Sequence, residues 1–195
     1  MKYLASFVVA FLVTASVFAQ GSYQLGSKVA DFSLKDGQGN AVSLSDYANS
    51  KTVVVVFTDN QCPYAKLYEN RLVTLSSTYA ARGVQFIFIN PGVGAGEGSD
   101  TRQDLAAKNY SFPYLADEGQ RISQKFGATK TPEVFVLHNT GSDFVLKYKG
   151  AIDDSPQVES GVRNNYLKTV IDEVLANKNV STSDKRATGC MIKRY

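Results

Sequence analysis

From position 29 onward the chain alternates short β-patterned runs with longer stretches of helical spacing. Val29-Ala30-Asp31-Phe32-Ser33-Leu34 alternates apolar and polar residues, Asp36-Gly37-Gln38-Gly39-Asn40 has turn chemistry, and Ala41-Val42-Ser43-Leu44 follows. An N-terminal β-hairpin is expected there, with Ser43 or Ser45 capping a short helix through Tyr47 and Ala48. Thr52 to Phe57 is a nearly unbroken β-branched run, which suits a strand buried on both faces of an α/β sheet. After Pro63, apolar residues at Tyr64, Tyr68, Leu72, Leu75 and Tyr79 form one helical stripe that Gly83 stops. Val84 to Ile89 predicts a second central strand, Asp100 the cap of a helix reaching Lys108, and Phe112 to Leu115 a short strand. Asp117-Glu118-Gly119 leads into a helix ending at Phe126-Gly127. Val134 to Leu137 and Phe144 to Tyr148 flank a turn-rich segment and predict an antiparallel hairpin. Val162, Tyr166, Val170 and Val174 predict a last helix to Leu175. The fold class is therefore α/β, a central mixed sheet with helices on both faces, an N-terminal hairpin extension and a C-terminal tail.

The first residues carry a different pattern. Met1-Lys2-Tyr3, an apolar run from Leu4 to Val13, and Val17 and Ala19 at small-residue positions make an export leader over 1–19, cut near Ala19-Gln20. The apolar run is too short for a strong membrane span, so a retained anchor is the weaker expectation and the mature protein is expected to have none. What remains divides into one domain over 20–176, long enough for its own core, and a tail over 177–195 that is polar and non-periodic apart from Cys190-Met191-Ile192. The formal charge of +3 is mild and the basic residues are scattered, which leaves no footprint for nucleic acid. A single histidine, His138, in an apolar run reads as a strand-end residue, and without a cysteine cluster it makes no zinc site. No metal or organic cofactor is implied. Gly92-Val93-Gly94-Ala95-Gly96-Glu97-Gly98 satisfies neither nucleotide-binding glycine pattern and reads as a mobile loop near the cysteine. Asn109-Tyr110-Ser111 and Asn179-Val180-Ser181 are glycosylation sequons, meaningful only in a eukaryotic secretory host.

The candidate chemistry is concentrated at Cys62, which stands where the strand ending at Phe57 passes through a polar loop into a helix. Pro63 suits the first helical position, because its missing N–H costs nothing there. Cys62 then lies within reach of the positive end of the helix dipole, with Lys66 one turn on, and both favour thiolate over thiol. A buried free cysteine is more often inert, but the strand-to-helix junction is the crevice of open α/β sheets and argues for reactivity. Thr131-Pro132 precedes an apolar strand, and proline is excluded from central ladders. Two arrangements remain open: an ordinary trans proline, which spacing alone favours, or a cis proline that sets the Thr131 backbone beside the cysteine to pair with an extended substrate.

Asn60-Gln61-Cys62-Pro63-Tyr64-Ala65-Lys66, with Thr131-Pro132 ahead of an edge hairpin, resembles the thioredoxin-like superfamily. Within it, Gly26-Ser27-Lys28-Val29-Ala30-Asp31-Phe32 and the ending Gly189-Cys190-Met191-Ile192-Lys193 resemble the exported, peroxiredoxin-like AhpC/TSA or redoxin group. The resemblance implies Cys62 as the catalytic first cysteine of the motif, Pro132 as the cis proline, and a groove of Pro63, Thr131 and Pro132. Ala65 replaces the second cysteine of the dithiol motif. Peroxiredoxins attack peroxide from that second position, with a threonine three residues before it, and here Ala65 and Cys62 stand in those places. The implied partners are protein or small-molecule thiols and disulfides, with peroxide as the alternative substrate. Cys190 is a candidate resolving cysteine, a structural staple to Cys62, or a free or intermolecular thiol. A non-enzymatic peptide-binding module stapled by that pair is the reading from a different class.

Overall fold

The computed structural model describes residues 21–195, and the leader expected over 1–19 lies outside the described residues. In chain order the strands and helices are β1 (Lys28–Val29), β2 (Ser33–Asp36), β3 (Ala41–Ser43), β4 (Thr52–Phe57), α1 (Pro63–Ala80), β5 (Val84–Asn90), α2 (Arg102–Ala107) and β6 (Tyr114–Ala116). They continue with α3 (Arg121–Phe126), β7 (Lys130–Thr131), β8 (Glu133–Asn139), β9 (Phe144–Gly150), α4 (Tyr166–Leu175), β10 (Asp184–Lys185) and β11 (Cys190–Met191). The main sheet runs in the order β1-β9-β8-β4-β5-β6-β2-β3. β4, β5 and β6 are parallel, while β8, β9, β2 and β3 join antiparallel, so the sheet is mixed.

Every residue of β4 is buried, for the reason its sequence suggested. Val54 and Val56 face a core built with Tyr68, Leu72 and Tyr79 of α1, Leu105 of α2 and Leu167, Val170, Ile171 and Val174 of α4. Val53, Val55 and Phe57 face the opposite core, closed by Ile122 and Phe126 of α3. Helices thus cover both faces. Phe126 meets Tyr23, Phe32, Phe57 and Phe135, in each case edge to face. Phe126→Ala is expected to destabilise the protein by about 3–5 kcal/mol, read as a lower denaturation midpoint with an unchanged dependence on denaturant.

Several expectations change in detail. The N-terminal run divides rather than forming one hairpin arm: β1 pairs with β9 at one edge of the sheet, and β2 and β3 form the hairpin at the other. Between them Phe32 is buried in the core beside α3, so burial of that ring outweighs continuous pairing. Thr101, not Asp100, caps α2, with the Asp104 side chain completing a capping box. The last helix starts at Tyr166 rather than Val162, after a 3₁₀ turn over Glu159–Gly161. The buried face of α1 includes Arg71, whose guanidinium is satisfied by the Asp153 carboxylate at 2.8 Å. Tyr68 donates to the same carboxylate at 2.7 Å, and this pinning of α1 keeps the Cys62 end of the helix in place.

The tail adds two short strands, one of them to the main sheet. β10 runs parallel to β9, and β11 pairs antiparallel with β7 in a separate two-stranded ribbon. Segments of two residues carry no periodicity, which is why 177–195 reads as irregular in the sequence.

Candidate active site

Cys62 is the N-cap of α1, with extended backbone (φ −77°, ψ 119°), and Pro63 opens the helix. Its carbonyl accepts from the Lys66 N–H at 3.1 Å, while its side chain caps nothing. An 18-residue helix aligns its peptide dipoles behind this sulfur and favours negative charge on it.

The loop before Cys62 is held by carboxylates. Asp59 accepts the Gln61 N–H at 2.7 Å, and its carbonyl accepts the Cys62 N–H at 3.2 Å. Asp100, which is 2 % exposed, accepts from the Asn60 N–H at 2.9 Å, the Gln61 Nε2 at 2.8 Å and the Asn90 Nδ2 at 2.6 Å. Burial pushes the Asp59 carboxyl up from its ordinary value; the Gln61 N–H opposes that shift and the Asp100 charge reinforces it.

The peptide bond between Thr131 and Pro132 is cis, which resolves the two arrangements left open by spacing. The Thr131 carbonyl oxygen lies 3.0 Å from Cys62 Sγ. Just before it, the Glu133 carboxylate accepts the N–H groups of Thr129 and Lys130 at 2.7 and 3.0 Å, fixing the backbone of β7.

Cys62 is joined to Cys190 by a disulfide with the Cα atoms 5.9 Å apart. Cys62 is 3 % exposed, whereas Cys190 is half-buried. In β11, Cys190 is registered opposite Thr131 and Met191 opposite Lys130. Beyond it, the Ile192 N–H donates to Thr129 O at 3.0 Å, Gln120 Nε2 donates to Lys193 O at 2.6 Å, and Arg194 Nη2 donates to Ala128 O at 2.6 Å.

Cys62, Cys190, Thr131, Asp59, Gln61 and Asp100 line one cavity of about 350 Å³, whose far wall is the glycine-rich loop over 92–98. Cys62, Cys190 and Thr131 are therefore brought together across long stretches of chain. Pro63 and Pro132 do not line the cavity; they set the directions of α1 and β8 behind it. The sequence assigns no site role to Asp59, Gln61, Asp100 or Gln120. The polar triplet Asp59-Asn60-Gln61 directly before Cys62 was the available signal, and nothing local marked the buried role of Asp100.

Residues 25–155 match the AhpC/TSA family. A hypothetical protein from Sinorhizobium meliloti is 31 % identical, with a TM-score of 0.80 over 90 % of this chain and 97 % of that one. An uncharacterized conserved protein from Geobacillus kaustophilus is 30 % identical, with a TM-score of 0.78 over 87 % and 92 %. A putative thiol:disulfide interchange protein DsbE from Chlorobium tepidum shares the fold at 23 % identity, with a TM-score of 0.53 over 64 % and 85 %. Among curated proteins none matches. The family match spans the N-terminal hairpin, the Cys62 loop and the cis-proline turn, and on that ground the chain, thioredoxin-like in fold, belongs to the AhpC/TSA family.

Proposed function

We propose that this protein is an exported thiol–disulfide oxidoreductase in which Cys62 is the nucleophile and Cys190 the resolving cysteine. The observation that carries the reading is the bond from the helix-start sulfur to a tail cysteine, made beside the Thr131 backbone. In the reductive direction the Cys62 thiolate attacks one sulfur of a substrate disulfide, forming a mixed disulfide and releasing one substrate thiolate. The Cys190 thiolate then attacks Cys62 Sγ, releases the second substrate thiolate and leaves the Cys62–Cys190 disulfide. A donor dithiol restores both thiols by attacking Cys190, the more accessible sulfur, so that Cys62 departs as the thiolate stabilised by α1. Pro63, Thr131 and Pro132 shape the groove in which the substrate sulfur is presented. The reverse sequence oxidises a substrate dithiol with the same residues.

Membership of the AhpC/TSA family favours a second reading, thiol peroxidase. There the Cys62 thiolate attacks one oxygen of hydrogen peroxide, the O–O bond breaks with hydroxide leaving, and the resulting sulfenic acid is closed by the Cys190 thiol to the disulfide with loss of water. Export rests on the leader pattern over 1–19, with the domain over 20–176 and the tail over 177–195 as the mature parts. N-terminal sequencing of protein made in its host is expected to begin near Gln20.

Stopped-flow oxidation of the reduced protein separates the readings. Reaction with a disulfide well above the rate of free cysteine supports exchange, and the same with hydrogen peroxide supports the peroxidase. If neither exceeds free cysteine, both enzyme readings fail, and the Cys62–Cys190 disulfide is the staple of a peptide-binding module.

A further inference from the structure

The tail sits in the groove as an extended cysteine peptide would. Its backbone pairs antiparallel with β7, and its cysteine is bonded to Cys62, so it shows in cis how a mixed disulfide with a peptide is seated. Gly189, the residue before that cysteine, is under a tight constraint. A Cβ there would lie 2.8 Å from the Thr131 carbonyl carbon and 3.2 Å from the Pro132 nitrogen, and nearer still to the Thr131 oxygen. The obstructing atoms are all backbone, in a segment where Thr131 is buried and the Glu133 carboxylate holds the two preceding N–H groups. No side-chain rotation relieves such a clash, and contacts of this kind are not absorbed by a well-packed interior. Because Gly189 does not adopt the left-handed conformation, the site needs glycine there for space, not for backbone freedom.

The next positions differ. Met191 is 65 % exposed and meets no selective wall. Ile192 packs against the core beside α3, where an apolar side chain gains from burial.

We infer that the groove beside Cys62 has a glycine-selective subsite for the residue preceding the substrate cysteine, and that its substrates are extended polypeptide segments of the form Gly-Cys-x-apolar. This specificity rests on Cys62 being the nucleophile. In exchange with such a segment held as a mixed disulfide, the Cys62 thiolate attacks the peptide sulfur. The Cys62–peptide disulfide forms, the peptide's original S–S bond breaks, and the former partner leaves as a thiolate. When the tail is in place it occupies the same subsites, so reduction of Cys62–Cys190 is what makes them available to a partner.

The test uses the full chain carrying Cys190→Ser and the peptide Thr-Gly-Cys-Met-Ile-Lys, with its cysteine linked to thionitrobenzoate. Attack on the peptide sulfur releases the coloured thiolate, the better leaving group. Alanine and valine versions of the residue before cysteine are run alongside, and free cysteine provides the intrinsic reactivity of each peptide. The glycine peptide is expected to react at least tenfold faster than the alanine one after that correction, and the valine peptide more slowly again. A serine-bearing tail that lingers in the groove slows all three alike and leaves their ratio unchanged. Equal corrected rates for glycine and alanine overturn the subsite while leaving Cys62 as the nucleophile. Absence of release from every peptide, and from a small aromatic disulfide, overturns the nucleophile itself.

Discussion

Replacing Cys62 with serine is expected to reduce disulfide exchange to the uncatalysed rate, a loss of at least about a thousandfold, because the thiol that remains, Cys190, has no helix start behind it to favour its thiolate. Cys62 and Cys190 form the disulfide seen among the described residues, and a serine hydroxyl is a far poorer nucleophile than a cysteine thiolate. Cys190→Ser has a different signature. Reduced protein still reacts once with a substrate disulfide, at a rate near that of the native protein, and then stops as a trapped mixed disulfide visible by mass spectrometry. A dithiol donor rescues turnover in proportion to its concentration, since it supplies the attack that Cys190 makes intramolecularly. Full multiple turnover by Cys190→Ser with a monothiol donor at low concentration removes Cys190 as resolver.

Opening the disulfide is expected to lower stability by about 4–5 kcal/mol, because the bond closes a very long loop and removes that freedom from the unfolded chain. Its two cysteines are 128 positions apart. For a chain of this size the loss corresponds to roughly 10–15 °C in Tm. Calorimetric scans of native protein with and without a thiol reductant, set beside the Cys62→Ser/Cys190→Ser double variant, measure it. The reduced protein and the double variant should melt together. If reduction leaves Tm unchanged, the tail is held by its hydrogen bonds to Thr129, Gln120 and Ala128 and not by the covalent bond.

The main elements were legible because their signals are local. β4 is β-branched throughout and lies between two cores, so each valine is apolar whichever way it points. α1 opens on Pro63 and keeps an apolar stripe through Tyr68, Leu72 and Tyr79. Arg71 and Asp100 were not legible in the same way. Each is a charged residue whose burial depends on a partner far away in sequence, Asp153 for Arg71 and the Asn60, Gln61 and Asn90 groups for Asp100. The split of the N-terminal run at Phe32 is of the same kind, since only the packed core offers that ring a better place than the ladder.

The active-site region follows the same division. Sequence alone determined that Cys62 stands at the start of a helix behind a buried strand, and that Pro132 directly precedes another apolar strand, because proline and β-branched residues restrict their own backbones. Tertiary structure alone decided that Thr131-Pro132 is cis, that Cys190 is bonded to Cys62 rather than left free, and that Gly189 lies against the Thr131 carbonyl. The pairing of the cysteines and the Gly189 contact depend on segments that meet only when the tail crosses β7. Loop closure over more than a hundred residues leaves no periodic trace in the chain that it joins.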